Sequence, residues 1–226
     1  MTNDQPDYAS LFGSRFDLVP EETALMIIDM QYASAHRETG LGRLLSERGE
    51  EATGQYRFDR IEQVVVPHIQ KLLTFFRESH LRVIHITNGS EMPDYSDLLP
   101  HRRKYARSVG NTVSNREHDI LDELKPLPGE LGVNKRTMSA FNSTGIDQIL
   151  RAEGIRYVLT CGVSTNSCVA GTARDAAEHG FYTAMIDDAC GAAARTYHDA
   201  TLRNFARLLG MVMNTDDVIT ALHARL

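Results

Sequence analysis

"YVLTCGVSTNSCVAGTARDAAEHG", residues 157–180, decides the fold. Residues 157–162 are apolar or small without alternation, the pattern of a strand covered on both faces. Residues 167–180 repeat small apolar side chains at helical spacing and stop at Gly180. A buried strand that runs into a helix is the opening of a strand–helix–strand unit.

The same alternation recurs along the chain. Short apolar runs at 24–29 (ALMIID), 82–87 (RVIHIT) and 182–187 (YTAMID) read as strands, with weaker candidates at 131–135 (LGVNK) and 211–215 (MVMNT). Between them, 59–80, 144–154, 196–210 and 215–226 read as helices. Thr144 and Gly154 bound the second of these, and Thr215 with two acids opens the last. The order predicts an α/β protein: a three-layer Rossmann-like fold with a mostly parallel six-stranded sheet and helices on both faces. No repeat or low-complexity linker interrupts it, so residues 1–226 read as one domain, with 1–20 as an N-terminal arm. Two stretches look irregular, 32–58 and 88–128. Both follow strand ends, where open sheets bind ligands.

Composition narrows the function classes. A chain of 226 residues buries a sizeable core without disulfides or metals. Its net charge of −6 argues against nucleic-acid phosphate as the ligand. The densest basic run, "HRRKYAR" at 101–107, is a solvated face, a hold for an anionic substrate group, or a contact to a neighbouring subunit. Three cysteines, with no C-x-x-C pair, argue against a disulfide framework or a zinc knuckle. A cytoplasmic setting is expected. The first ten residues carry no signal-peptide pattern, and no apolar stretch reaches the ~20 residues of a membrane span.

Three residues at strand exits can carry chemistry. Asp29 closes the first apolar run, where a carboxylate is costly to bury without a partner or a task. It is a candidate base, with a cap or a structural hydrogen bond as the plain alternative. Lys135 closes the run 131–135. Alternation sends Lys135 and Arg136 to opposite faces without saying which turns inward. Cys168 falls in the first helical turn after its strand, where free N–H groups and the helix dipole favour a thiolate. Those N–H groups can also receive an oxyanion. A buried apolar filler is the commoner fate of a cysteine, and Cys161 and Cys190 read that way. A parallel sheet brings the three exits to one edge. A base, a cation and a thiol together suit covalent acyl transfer.

The stretches "ALMIIDMQ", "NKRTMSAFNSTGIDQILRAEGI", "YVLTCGVSTNSCVAGTARDAAEHGF" and "AMIDDAC" resemble the isochorismatase-like cysteine hydrolases, from about residue 22 to about residue 215. The resemblance implies a catalytic triad of Asp29, Lys135 and Cys168. It implies a cis peptide between Val163 and Ser164, and an oxyanion hole from the backbone N–H groups of Ser164 and Cys168. It also implies a homodimer or homotetramer. Isochorismate-cleaving members lack the cysteine, so Cys168 argues against ether hydrolysis. Metal-binding nicotinamidases carry an Asp-x-His pair that is absent here, and His36, His85, His101 and His118 are scattered. No metal or other cofactor is expected. What remains is hydrolysis of a C–N bond in a small amide, carbamoyl or ureide substrate through a thioester, with release of ammonia or an amine. Gln31, Asn88 and Phe141 are candidate substrate contacts. Loop hydrogen bonding by Gln31 and Asn88, and core packing by Phe141, are the alternatives.

Two other readings use the same residues. A redox thiol protein would oxidise Cys168 or pair it with Cys161 or Cys190. A non-catalytic binding module would keep the fold without the chemistry. The first leaves Lys135 without a role. The second gives no chemical reason for base, cation and thiol to stay together.

Overall fold

Six strands form the sheet: β1 Thr23–Ile28, β2 Arg82–Asn88, β3 Leu131–Lys135, β4 Tyr157–Val163, β5 Tyr182–Gly191 and β6 Met211–Met213. The computed structural model describes residues 13–226. Residues 1–12 of the expected arm lie outside them. The strands pair in the order β3-β2-β1-β4-β5-β6, every pair parallel. Each residue of β1 and β4 is buried, which is why these two sequences run apolar without alternation. The chain steps outward from β1 to β3, then returns to the other side of β1 at β4. Loops after β1 and β4 therefore diverge and leave a crevice at the carboxyl edge.

Nine α-helices surround the sheet among the described residues: α1 Tyr32–Ala35, α2 Gly40–Ser46, α3 Glu51–Arg60, α4 Val66–Glu78, α5 Pro100–Ser108, α6 Ile146–Ala152, α7 Ala170–Glu178, α8 Arg195–Leu208 and α9 Thr215–His223. Helix α4 buries Ile69, Leu72, Leu73 and Phe76, spaced three and four apart. It packs with α9, while α7 packs with α8, and all four touch β5, so both sheet faces are covered. A π-helical turn, Ile61–Val65, joins α3 to α4. Pro67 sits just beyond it and has no N–H to continue the regular ladder. No helix among the described residues is long and apolar enough to cross a membrane.

The stretch 32–58 is helical rather than irregular. Its helices are short and glycine-bounded, and they are tied by charge rather than by an apolar stripe. Arg37 bridges Asp59 and Glu62, and Arg43 bridges Glu47. A Cβ on Gly42 would stand 1.8 Å from the Arg37 carbonyl oxygen, so that glycine permits a close chain contact. The stretch 88–128 likewise holds α5 and two single 3₁₀ turns. The last helix is capped by Asn214 in a capping box with Asp217, one residue before the expected Thr215.

Gly162 fixes the β1–β4 edge. Its φ is +110°, and a Cβ there would meet the Ile28 carbonyl oxygen at 2.1 Å. Backbone strain of this kind costs about 1–3 kcal/mol before any clash is counted. Gly162→Ala is expected to lower the thermal midpoint by roughly 2–12 °C in differential scanning calorimetry, from the strain alone. An unchanged midpoint would mean that β1 and β4 can part without loss.

Candidate active site

Three strand exits meet at the crevice. Asp29 follows β1 with a left-handed backbone, φ 54°, which aspartate tolerates better than most residues. That conformation is pinned on both sides. Its N–H donates to the Ile86 carbonyl at 2.8 Å, and its carbonyl accepts from Ser34 Oγ at 2.7 Å. Lys135, the last residue of β3, is fully buried and reaches past the end of β2. Its Nζ donates to Asp29 Oδ2 at 2.9 Å and to the Thr137 carbonyl at 3.3 Å. Arg136 turns the other way and pairs with Glu91 at 2.9 Å. The backbone alternation of β3 is thus resolved with the lysine inward.

Cys168 lies in a π-helical turn, Thr165–Val169, that leads from β4 into α7. It is buried, and the Val163–Ser164 peptide before it is cis. The Cys168 N–H donates to Ser167 Oγ at 2.6 Å, so one of the two expected oxyanion donors is engaged at rest. The turn is tethered from behind. Thr165 Oγ1 shares a 2.9 Å hydrogen bond with His198 Nδ1, and His198 Nε2 meets Asp187 Oδ1 at 2.7 Å.

The expectation of a stabilised thiolate is corrected here. Burial pushes the Cys168 thiol above its ordinary value. The negative Asp29 raises it further and Lys135 lowers it, so the resting sulfur carries its proton. Lys135 is already tied to the carboxylate. Asp29 Oδ1, by contrast, is buried with no hydrogen bond of good geometry, and it faces the Cys168 thiol, whose contact with Asp29 also raises the thiol pKa. The arrangement is a thiol beside a carboxylate that is paired with a buried ammonium. Removing the carboxylate charge should therefore make the thiol more reactive toward a simple alkylating agent. Asp29→Asn is expected to speed iodoacetamide labelling of Cys168 several-fold at pH 7–8. Unchanged labelling would show that Asp29 does not govern the resting sulfur, and slower labelling that Asp29 assists deprotonation even toward a simple alkylating agent.

A cavity of about 250 Å³ opens onto Cys168 and Asp29. That is below the ~300–1,000 Å³ of drug-sized sites, so a small ligand fits it. Gln31 and Asn88 line it, as does Ser164. Gln31 bonds to the Asn88 N–H and to the His118 carbonyl, at 2.8 and 2.7 Å. Asn88 bonds to the Lys135 and Thr137 carbonyls and to Arg102. Both side chains hold the frame of the site. Phe141 is not among the lining residues. It packs in the core against His179 and Phe181, with ring centroids 5.0 and 5.9 Å away. Sequence reasoning missed Arg57, Tyr105 and Asn111 in the lining and left the basic run open, from which Arg102 and Tyr105 reach it. Helical spacing i, i+3 within 101–107 was the available signal for that pair. Nothing local marks Arg57 or Asn111. Among the described residues no three His, Cys, Asp or Glu side chains are grouped to hold a metal ion.

A parallel sheet of this order, with a polar cavity at its switch point, is the layout of an α/β enzyme. Residues 23–217 match the Isochorismatase domain, and the chain belongs to the isochorismatase family. Within that family it is a hydrolase of non-peptide C–N bonds. It is 30% identical over 217 residues to the ureidoacrylate amidohydrolase RutB of Acinetobacter baylyi, covering 89% of this chain and 84% of that one. It is 30% identical to RutB of Agrobacterium fabrum over 88% of this chain and 90% of that one. A cysteine hydrolase from Pseudomonas syringae pv. phaseolicola superposes with a TM-score of 0.80 at 23% identity, over 95% of this chain and 98% of that one, a likeness of fold. An N-carbamoylsarcosine amidase from Thermoplasma acidophilum gives 0.65 at 26% identity, over 86% and 97%.

Proposed function

We propose that the chain hydrolyses the C–N bond of a small amide, carbamoyl or ureide substrate through a thioester on Cys168. The observation that carries this is the buried Asp29 carboxylate, with one oxygen on Lys135 and the other facing the Cys168 thiol. RutB relatives act on ureidoacrylate, and a structural neighbour is a carbamoylsarcosine amidase, so the class of substrate fits.

Because the thiol is protonated at rest, proton transfer accompanies attack rather than preceding it. Asp29 Oδ1 takes the thiol proton as the sulfur adds to the carbonyl carbon. The oxyanion is received by the N–H groups of Ser164 and Cys168, the latter released from Ser167 Oγ. Asp29 then returns the proton to the leaving nitrogen, the C–N bond breaks, and ammonia or an amine departs. A water gives its proton to Asp29 and adds to the thioester, and the sulfur leaves and regains that proton. Lys135 stays paired with Asp29 at the start of each half-reaction. General-base assistance of this kind supplies about 10²–10⁴ in rate.

The test is a panel of small amides, carbamoyl compounds and ureides, with ammonia release measured and acid-quenched enzyme weighed by intact mass spectrometry. An acyl adduct on the Cys168 peptide is expected during turnover. Undiminished ammonia release from enzyme whose Cys168 has been fully alkylated would overturn the covalent route.

A further inference from the structure

The cavity holds more positive charge than its own residues neutralise. Lys135 and Asp29 pair and cancel. Arg57 and Arg102 also line the cavity, and neither has a carboxylate partner among the described residues. Arg57 donates to the Ser34 carbonyl through Nε and Nη2 and to Ser164 Oγ through Nη1, at 3.2, 2.8 and 2.7 Å. Arg102 donates to Asn88 Oδ1 through Nη2 at 2.9 Å. Elsewhere in the molecule Arg37, Arg77 and Arg136 each find a carboxylate within 3 Å. Two unopposed guanidinium groups beside a small cavity favour a negatively charged ligand.

The two are not equivalent. Arg57 is buried and uses all three of its nitrogens on the frame, which makes it a brace for the Ser34 and Ser164 segments. Arg102 is half-buried and keeps Nε and Nη1 without a protein partner. Asn88 takes one N–H of Nη2, so the second Nη2 N–H with its neighbouring nitrogen leaves one two-donor edge for a carboxylate. Tyr105, one turn further on α5, lines the same wall and adds a phenol donor. The other cations of the run hold loop carbonyls instead: Arg103 those of Leu98 and Ser96, Arg107 that of Asp94.

We infer that Arg102 is a specificity-determining residue, which takes a carboxylate on a small amide or ureide substrate whose scissile carbonyl stands at Cys168. Arg57 holds the wall behind it. The scissile group rests on the hydrolase reading above. The anionic arm rests on the unopposed cations alone.

The experiment compares 3-ureidopropionate with its neutral methyl ester on the intact protein and on Arg102→Gln and Arg102→Lys. Two readouts are taken: protection of Cys168 from iodoacetamide, and ammonia release. Wild type is expected to favour the carboxylate in both. Arg102→Gln should lower the carboxylate-to-ester preference by roughly 30- to 100-fold, as for truncation of one partner of a hydrogen-bonded charge pair. Arg102→Lys should recover part of it, because a point charge lacks the fork. A wild-type preference near unity overturns the inference. So does an Arg102→Gln protein in which both ligands lose equally. Charge-dependent protection without hydrolysis of either compound, or of any member of the panel, would keep the anion site and sink the hydrolase reading. Hydrolysis of both without charge preference would do the reverse.

Discussion

Replacing Cys168 by alanine is expected to lower kcat/KM by about 10⁴-fold or more while the fold stays intact. The size follows from the chemistry removed. Loss of a nucleophile that forms a covalent intermediate leaves only binding and oxyanion stabilisation, and comparable deletions cost up to about 10⁶ in turnover. The fold should tolerate it, because the lost group is one sulfur at the edge of a polar cavity. Cys168→Ser is a sharper version. Serine keeps the size and a proton for Asp29, but its hydroxyl is a far weaker acid than the thiol. A loss of about 10³-fold or more is expected there too. Cys161 and Cys190 do not substitute. Both are fully buried, one bonded to the Met26 carbonyl and the other to the Thr160 carbonyl, and burial raises both thiols. The measurement is steady-state ammonia release from the substrate that the panel identifies, beside a thermal melt of each variant. Alanine protein that turns over within tenfold of wild type, with an unchanged melt, would remove Cys168 from the reaction. The same burial of Cys161 and Cys190 weighs against a redox role, since neither offers an accessible resolving thiol.

Strand runs were legible because burial on both faces of a parallel sheet leaves a continuous apolar signature. All six expected strands are present, with ends shifted by few residues except at β5, which continues to Gly191. The positions of Asp29, Lys135 and Cys168 were legible for a related reason. Asp29 follows its run directly, Lys135 closes its own and Cys168 lies in the turn after β4, and topology carries these strand ends to one edge. What could not be read depends on long-range pairing. Arg57 joins the site from α3, across a stretch whose helices are held by Arg37, Arg43 and their carboxylates rather than by apolar periodicity. The balance of charges on the thiol is not legible in one dimension: Lys135 is directed at Asp29, and burial with the Asp29 charge outweighs the lysine at the sulfur. Phe141 shows the limit for aromatic residues, whose core and pocket roles look alike in one dimension.

The buried ion pair supports a second large effect, on stability as well as rate. Lys135 is fully buried and Asp29 nearly so, and their contact is 2.9 Å. Taking the ammonium away leaves a carboxylate in a low-dielectric site with no directly bonded counter-charge. Breaking a buried pair in this manner costs about 3–5 kcal/mol. For a chain of this size that is a fall of roughly 6–20 °C in thermal midpoint. Lys135→Met is therefore expected to melt markedly earlier at pH 7 and to lose turnover. Lys135 also lowers the Cys168 thiol pKa, so its removal moves the thiol upward and shifts residual activity toward higher pH. The double variant Asp29→Asn with Lys135→Met separates the two consequences. With both charges gone, no uncompensated ion remains, and most of the lost stability should return while activity does not. A double variant as unstable as Lys135→Met alone would mean that the lysine contributes through packing rather than through charge. A Lys135→Met protein with wild-type melting and wild-type turnover would mean that Asp29 needs no buried cation, and the proton route drawn through it would have to be abandoned.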